Sequence, residues 1–458
     1  MWKLRKRCSC LVITAIMIGL FSGCGAQPSA TQESSSAPAV TSASATDSGQ
    51  ASSTEPSGSV KTINFLTIWN TDSNGAKIVK DLTDKYNGNA PKVDVQFDVV
   101  QQQALDQKLS VLAASNDFPE MFSCAVAGEV QTYSQKGMLL DIDKTLSDLG
   151  ISDVISANSR NGLLALTGTS TLYVLPTEYD IEGVWYNKQI FQDNGFTVPA
   201  TLDDMMAICD KCMSLGIQPF ALAGKERWPI SRLAGNYINR KLGVEALVQA
   251  NQGKIRFDEP GFVEGLTMVS DMGKKEYFGK GVTTIDYNTA LSVFLSGKSA
   301  MYYDGSWFTE ELNDPSLNKI GENVGFFGFP TVPGGVGKQN DYVQSYGTYY
   351  CLSSDKYDAA VGDWLKYVLT NYGNYTLDTE GKLTPYPITG DHQIPYYTDM
   401  VEQLIKDAGD GGVWPEYCLT QKSNDLLLND MQLLSIGQIA PDKMAKEVAD
   451  SVAADFNK

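Results

Sequence analysis

The chain has 458 residues, of which 43% are hydrophobic and 10% aromatic, so it is long and apolar enough for two cores and is not a disordered protein. It carries 54 acidic and 36 basic residues, a formal net charge of −18. A surface of this sign repels phosphate backbones and anionic lipid headgroups, so nucleic-acid binding is not expected.

The amino terminus has the composition of a signal peptide, residues 1–23. Four basic residues among the first seven precede an apolar segment, residues 11–21, that is too short to span a bilayer. The segment ends in LFSGCG, which resembles a bacterial lipoprotein processing site, so Cys24 is expected to become the diacylated first residue of the mature chain. The alternative is ordinary secretion without lipid.

Residues 24–60 are nearly all Ser, Thr, Ala, Pro, Gln and Gly, a composition that cannot build a core. We expect a disordered tether that holds the body at the extracellular face of the cell membrane through the lipid. Removal of the leader leaves 32 basic residues against 54 acidic ones, a net charge of −22.

The CDKC motif at Cys209 and Cys212 lies within helical apolar spacing. A redox pair needs a helix amino terminus that lowers the thiol pKa, and a zinc site needs a second pair of ligands. Neither is visible in the sequence, so both cysteines are expected to be small buried side chains, and no metal site or cofactor is expected.

In chain order, the first elements alternate between strands and helices. KTINFLTIWN is apolar on both faces, as in the centre of a mainly parallel sheet, and it is followed by helical spacing from Ile78 to Tyr86. KVDVQFDVV predicts a second strand, Leu105, Leu109 and Leu112 mark a second helix, and EMFSCA predicts a third strand.

The middle and the end of the chain continue the same alternation. TSTLYVLPTEYDIEGVWYN predicts two extended segments, which are followed by helices around Ile190, at 201–215 and at 261–273. YGTYYCLSSDKYDAAVGDWLKYVLT predicts a strand and a helix, and the tail at 424–456 is helical. Two α/β lobes that are connected more than once fit this pattern better than one sheet.

The segment LSVFLSGKSAMYYDGSWFTEEL, residues 291–312, combines a polar turn with an indole. Its pattern predicts a helix end, a strand at Ala300–Tyr303, a turn at Asp304–Ser306 and a further helix. The turn therefore lies at the carboxyl end of a strand, where open α/β sheets bind their ligands.

From about residue 62 to 456 the chain resembles the extracellular solute-binding proteins of bacterial ABC importers, in the carbohydrate-type, maltose-binding-protein-like group. The resemblance is carried by the order and spacing of TIWN, NDFPEMF, LPTEYDIEGVWYNKQIFQDNGFTVPATLDDM, PFALAG, FLSGKSAMYYDGSW and TYYCLSSDKYDAAVGDWLKYVLT.

This resemblance implies an α/β, two-lobed periplasmic-binding-protein-like fold with hinge crossings and an interlobe cleft. The implied amino-terminal lobe comprises 61–178 plus about 345–393, and the carboxy-terminal lobe 179–344 plus about 394–458. The implied function is capture of a sugar or oligosaccharide by hinge closure and delivery to the permease of an ABC transporter. Such a protein is a monomeric binding protein and not an enzyme.

Sugars explain the residue types of the candidate site. A pyranose has a face of C–H groups that indoles and phenols cover, and a rim of hydroxyls that carboxylates and amides bind. The candidate ligand-binding residues are Trp69, Asn70, Glu120, Glu178, Asp180, Trp228, Asp304, Gly305, Trp307, Tyr346, Gly347, Trp414 and Tyr417.

Within this set we expect Asp304 to accept sugar hydroxyls, Gly305 to permit close approach, and Trp307 to lie against a ring. The competing interpretation is that Asp304 caps the next helix while the indole packs inside. Trp228 is expected in a loop, with buried packing as the alternative. Glu120 stands where the resembling family usually has aspartate after proline.

Other classes of function remain open at this point. A secreted glycoside hydrolase also uses paired carboxylates and aromatics. A single histidine, His392, and the absence of G-x-S-x-G and phosphate-loop motifs oppose catalysis by a triad or on a nucleotide. A surface adhesin, and a binding protein for a peptide, a polyamine or a metal, are further alternatives.

Overall fold

The structure is a computed structural model that describes residues 60–72, 74–124 and 127–456. The expected signal peptide, Cys24 and the tether up to residue 59 lie outside the described residues.

The first part of the chain builds alternating strands and helices. They are β1 (Lys61–Thr67), α1 (Asn74–Asn87), β2 (Val93–Val99), α2 (Gln102–Ser115), β3 (Met121–Cys124), α3 (Ala127–Gln135), α4 (Ile142–Asp148) and α5 (Ala157–Thr167). The predicted β-α-β-α-β order is confirmed.

The middle of the chain forms a second set of elements. They are β4 (Asp180–Asn187), α6 (Lys188–Asp193), α7 (Leu202–Leu215), β5 (Gln218–Ala221), α8 (Trp228–Leu242), α9 (Ala246–Asn251), α10 (Pro260–Lys274), α11 (Tyr287–Leu295), β6 (Ser299–Gly305), α12 (Thr309–Asn313), β7 (Val324–Phe327) and β8 (Val343–Ser345).

The last part contributes one strand and several helices. They are β9 (Tyr349–Leu352), α13 (Ala359–Glu380), α14 (Tyr396–Lys406), α15 (Pro415–Cys418), α16 (Gln421–Ser435) and α17 (Pro441–Phe456).

Two separate sheets organise these elements. The first has the order β2-β1-β3-β9, with β1 parallel to both neighbours and β9 antiparallel at the edge. The second has the order β5-β6-β4-β7, in which β4 pairs antiparallel with β6, β7 and β8. The apolar β1 is central in its sheet, as its two-sided pattern predicts.

Each sheet has its own hydrophobic core. The core around the first sheet draws on residues 63–175 and 346–386, and we call this body the first lobe. The cores around the second sheet draw on residues 181–343, 397–405, 408 and 413–452, and we call this body the second lobe. The chain therefore passes between the lobes more than once.

Two of these passages lie side by side, and we call them the crossing segments, residues 175–182 and 343–350. Leu175 and Tyr350 exchange two backbone hydrogen bonds of 2.8 and 2.9 Å, and Asp180 pairs with Ser345 where β4 meets β8. The segments form one antiparallel ribbon, so any rotation of the lobes bends both together.

Four local expectations differ from the structure. Strand β6 extends to Gly305, so Asp304 and Gly305 end the strand instead of forming the predicted turn. The first extended segment before β4 forms only an isolated bridge at Leu175, and the helical tail is split because residues 436–440 separate α16 from α17. Trp228 opens α8 instead of lying in a loop, since Pro229 occupies the first turn, where a missing N–H costs nothing.

The two CDKC cysteines are small buried side chains, as the sequence predicts. Cys209 and Cys212 lie on the buried side of α7 with no exposed surface, and neither forms a disulfide. Burial raises the pKa of the Cys212 thiol to about 11, which opposes a reactive thiolate.

Candidate functional site

Three tryptophans of the candidate set lie together in the second lobe, and we call them the indole cluster: Trp228, Trp307 and Trp414. Trp228 begins α8, Trp307 lies in the turn after β6, and Trp414 precedes α15. The Trp228 and Trp307 rings are 5.9 Å apart between centroids and meet edge to face at 70°. Trp228 and Trp414, which are 186 positions apart in the chain, thus lie in the same cluster.

A cation from α8 joins this cluster. The guanidinium carbon of Arg232 lies 4.3 Å from the Trp228 ring centroid, 4.2 Å from that of Trp414 and 6.0 Å from that of Trp307. Trp228 and Arg232 are one helical turn apart, which places them on the same face of α8. All three rings are within cation–π range of this single charge.

Two carboxylates bind the same guanidinium. Arg232 donates to Glu182 of β4 through Nη1, and to Glu416 of α15 through Nε at 3.2 Å. Glu182 has no exposed surface and also accepts a 2.8 Å hydrogen bond from the Tyr303 hydroxyl. Burial raises the pKa of Glu182 to about 7, against the opposing charge of Arg232, and burial likewise raises the pKa of Glu416.

Asp304 lies beneath the cluster. It is fully buried, and its Oδ2 accepts a 2.7 Å hydrogen bond from the Tyr287 hydroxyl, which in turn accepts one of 3.2 Å from the Trp307 indole. Burial raises the pKa of Asp304 to about 8, so it is largely protonated at neutral pH. Asp304 therefore does not offer an exposed carboxylate to a ligand in this structure, and it does not cap the following helix.

Gly305 allows the indole to fold back over the chain. A Cβ at this position would lie 2.1–2.4 Å from three ring atoms of Trp307. The close approach expected of Gly305 is thus made by the protein's own indole.

The first crossing segment carries Glu178 and Asp180 to a buried lysine. The Nζ of Lys382 lies 2.6 Å from Glu310, 3.5 Å from Glu380 and 3.8 Å from Glu178, and we call these four residues the Lys382 cluster. Burial alone lowers the pKa of Lys382, but the surrounding carboxylates hold this pKa above its ordinary value. Asp180 is also buried and accepts a 2.8 Å bond from the Ser306 hydroxyl.

The second crossing segment carries Tyr346 and Gly347. Tyr346 is buried against Tyr179 at 5.3 Å between ring centroids, in the core of the first lobe. Gly347 has a φ of +69°, and a Cβ there would lie 2.1 Å from the Thr177 hydroxyl. Both residues are placed for packing within the ribbon.

Trp69 and Asn70 follow the carboxyl end of β1 in the first lobe, where Trp69 is half-buried. Because β1 and β3 are parallel, the chain leaves β3 at the same sheet edge and enters α3. Helix α3 contacts α15, directly after Trp414. Trp69 and Asn70 thus lie at the same edge of the first sheet as the start of α3, the helix that contacts α15 of the second lobe.

Acidic residues of both lobes meet near this edge. Burial and the neighbouring charge of Asp425 on α16 raise the pKa of Asp106 on α2 to about 6. Burial and the charge of Asp106 raise the pKa of Glu129 on α3 to about 8. At neutral pH the Glu129 carboxyl therefore retains a proton and can donate a hydrogen bond.

Two candidates stand apart from this group. Glu120 lies at the opposite end of β3, where it accepts bonds from the backbone and side-chain nitrogens of Asn64, both at 2.9 Å. We leave it out of the site. The side chain of Tyr417 lies outside what the structure describes.

Sequence reasoning missed the polar partners that organise the indoles, Glu182, Arg232, Tyr287 and Glu416, and it missed Lys382 beside the first crossing segment. The i, i+4 spacing of Trp228 and Arg232 was available as a signal once Pro229 had marked the start of a helix. Nothing in the sequence brings Glu182 and Glu416 to that helix.

Within the described residues, no group of three or more His, Cys, Asp or Glu side chains is arranged to hold a metal ion. In the same part of the chain, no helix has the length and apolar composition needed to cross a bilayer.

Known proteins resemble the chain in sequence. It is 27% identical over 172 residues to the multiple sugar-binding protein of Streptococcus mutans, which covers 35% of this chain and 38% of that protein. It is 23% identical over 259 residues to the maltotriose-binding protein of Pyrococcus abyssi, which covers 55% of this chain and 52% of that protein. The chain thus spans about half or less of the length of these curated relatives.

Solved structures extend the likeness over most of the chain. A chitin oligosaccharide binding protein matches with a TM-score of 0.77 at 23% identity, over 87% of this chain and 98% of the other. At this level of identity the match shows the fold, and it confirms the predicted two-lobed α/β architecture.

A family model described as bacterial extracellular solute-binding protein matches residues 69–374. This match covers more than half of the chain, from the end of β1 to within α13, and so includes both crossing segments. The chain belongs to the family of bacterial extracellular solute-binding proteins.

Proposed function

We propose that this protein captures an uncharged carbohydrate, a sugar or an oligosaccharide, between its two lobes and delivers it to the permease of an ABC transporter. The observation that carries the proposal is the indole cluster, in which Trp228 and Trp307 keep part of their rings exposed beside buried carboxyl groups. Indole faces suit the C–H face of a pyranose, and carboxyl groups suit its hydroxyls.

The names of the relatives support this class of ligand. The two curated relatives are named for binding multiple sugars and maltotriose, and the matched structure is named for a chitin oligosaccharide. Binding without turnover is the activity that these names share, so we propose a binding protein and not a glycoside hydrolase.

Residues of the two lobes have different tasks in this proposal. Trp228 and Trp307 stack against the ligand, whereas Trp414 is buried and supports them through Arg232. Trp69, Asn70 and Glu129 approach the ligand from the first lobe. The lobes comprise about 61–178 with 345–393, and 179–344 with 394–458, and the crossing segments are the hinge.

Closure is driven by the ligand's preference for the closed form. A shift of the open and closed populations from 1:99 to 99:1 requires about 5.5 kcal/mol of such preference. Two stacked rings and several hydrogen bonds to polar groups of the two lobes are sufficient for that.

We further propose that the mature chain is attached to the outer face of the cell membrane through lipidated Cys24. Labelled palmitate should be incorporated into the wild-type chain, and Cys24→Ala should abolish incorporation. Labelling that persists in this variant would exclude Cys24 as the lipid site.

The function is tested by thermal shift and calorimetry of the purified body against mono- and oligosaccharides. We expect one sugar class to raise the melting temperature and to bind with a measurable heat, without release of reducing ends. Trp307→Ala should weaken that binding by tenfold or more, about 1.4 kcal/mol. A panel without any binding, or release of new reducing ends, would contradict the proposal.

A further inference from the structure

Arg232 occupies a position that a bound cation would otherwise take. Its guanidinium lies within 4.3 Å of the ring centroids of Trp228 and Trp414, and its side chain is only 11% exposed. Indole rings beside carboxylates are the groups that proteins use to bind organic cations. Here the chain supplies both those groups and the cation.

The contacts of Arg232 connect three elements of the second lobe. It binds Glu182 on β4 and Glu416 on α15, and it bridges the first residue of α8 to the residue before α15. Two cation–π contacts and two ion pairs hold the guanidinium between the indoles.

Two acidic groups face this one cation. Glu182 and Glu416 are both buried, and burial raises the pKa of each, so Arg232 is the cation that stabilises their ionised forms. Removal of Arg232 would leave two acidic groups and two indole rings around an unfilled space. That space would have the shape and charge preference of a planar cation.

We propose that Arg232 is a positioning and specificity residue: it sets the spacing of the indole rings, and by occupying their cation-accepting space it restricts the site to uncharged ligands. The choice of uncharged ligands rests on the proposed function, whereas the replaceable cation position does not. Polyamines and other organic cations are thereby excluded, because Arg232 already occupies the space between the indoles and the acidic groups in which they would bind.

The position is tested by chemical rescue of Arg232→Ala. Guanidinium chloride at up to about 20 mM, with ionic strength held constant by NaCl, should raise the melting temperature of this variant saturably, by about 1–3 °C. It should not raise the melting temperature of the wild type, in which the position is filled and guanidinium acts only as a weak denaturant at this concentration. Urea is planar and uncharged, and should stabilise neither protein.

Arg256→Ala is the matched control. Arg256 pairs with Asp258 at 2.8 Å and with Asp450 at 3.0 Å, and its side chain is 50% exposed. Guanidinium should not raise the melting temperature of this variant, as for the wild type. If it does not raise that of Arg232→Ala either, or if urea stabilises that variant equally, the proposed cation position is wrong.

The specificity is tested with the sugar that the wild type binds. Arg232→Ala should bind this sugar at least tenfold more weakly, recover part of the affinity in guanidinium, and gain measurable binding of methylguanidinium. An unchanged sugar affinity would overturn the positioning role. Should no sugar bind the wild type, the proposed function fails, while the melting-temperature experiment still decides the cation position.

A second variant guards against misfolding of Arg232→Ala. Lysine retains the charge but has no planar group to lie against two rings. We therefore expect Arg232→Lys to fold and to bind the sugar about tenfold more weakly. Wild-type affinity in Arg232→Lys would show that charge alone is sufficient and would overturn the positioning role.

Discussion

At the scale of single residues, the Tyr287 hydroxyl determines how Trp307 is held. It donates to Asp304 at 2.7 Å and accepts from the Trp307 indole at 3.2 Å, so one oxygen connects a buried acid to an indole of the proposed site. Removal of this hydroxyl should therefore alter the orientation of Trp307 while the indole ring itself is unchanged.

Tyr287→Phe should therefore destabilise the protein by about 1–3 kcal/mol, because Asp304 and the Trp307 N–H each lose a partner. Sugar binding should weaken, but less than in Trp307→Ala. Urea unfolding and calorimetry measure the two effects. The control is Tyr277→Phe, which removes a 2.5 Å bond to the exposed Asp210 and should change stability by less than about 1 kcal/mol. Equal losses in the two variants would refute this role of Tyr287.

The buried Asp304 also makes stability depend on pH. Its pKa is about 8 in the folded protein and near 4 in an unfolded chain, so between these values only the folded state retains the proton. The stability that this group contributes is complete below about pH 4 and is lost as the pH rises to 8. The slope is about 1.4 kcal/mol per pH unit.

Asp304→Asn has no such proton, so its free energy of unfolding should fall less steeply between pH 5 and 7.5 than that of the wild type. Glu182 and Glu129, with pKa values of about 7 and about 8, leave a residual slope in both proteins. Urea unfolding across this range is the measurement. Parallel curves would mean that Asp304 is already ionised at pH 5.

The segment with Asp304 and Trp307 illustrates how far sequence alone reaches. A strand followed by a turn was predictable from the apolar run and the glycine, but β6 extends to Gly305, two residues beyond the predicted end of the strand. The burial of Asp304 was not predictable, since it depends on Tyr287 from the preceding helix. Arg232 was missed for a similar reason: its two acidic partners come from β4 and α15, far away in the chain.

At the scale of elements, the two crossing segments form the ribbon that we propose as the hinge. Gly347 has a left-handed backbone, and its missing side chain leaves room for the Thr177 hydroxyl of the other segment. The ribbon is thus closely packed at the point where we propose bending.

Gly347→Ala should destabilise the protein by more than the strain that a left-handed backbone alone imposes on alanine. Gly321, which has a φ of +56° and open space around the position that a Cβ would take, is the matched control. Gly321→Ala should destabilise by about 1 kcal/mol, and Gly347→Ala by at least about 1 kcal/mol more, since its Cβ would overlap Thr177. Denaturant unfolding compares them. Equal losses of unfolding free energy in the two variants would show that the ribbon accommodates the added methyl group without strain.

The positions of the helices and strands were more predictable from the sequence than the contacts between them. Periodicity located β1 to β3 and α13, because each buries one face or both. The α8 helix was missed since its apolar spacing is interrupted by polar residues such as Asn236 and Asn239, which are buried in the structure by contacts from distant segments.

At the scale of the whole molecule, the Lys382 cluster connects the lobes beside the ribbon. Lys382 follows α13 of the first lobe, Glu310 lies on α12 of the second, and Glu178 lies in a crossing segment. One buried ammonium thus holds three separate parts of the chain, and its side chain is only 6% exposed.

Lys382→Met should destabilise the protein by about 3–5 kcal/mol, because it leaves Glu380, whose side chain is only 7% exposed, without its cation. Lys406→Met is the control: Lys406 is 56% exposed and pairs with Glu402 at 3.0 Å, so its loss should cost about 1 kcal/mol or less. Thermal and urea unfolding provide both values. A small loss in Lys382→Met would mean that the carboxylates take up protons instead.

The discontinuous first lobe has a consequence for biosynthesis. Its sheet lacks the edge strand β9 until residue 352 has emerged, and its core is complete only when Tyr386 of the 458 residues has emerged. Before β9 and α13 are made, the nascent chain exposes an unpaired edge at β3 and the apolar surface that α13 later covers. The order of synthesis therefore keeps this lobe unfinished, and dependent on protection from aggregation, until most of the polypeptide has been made.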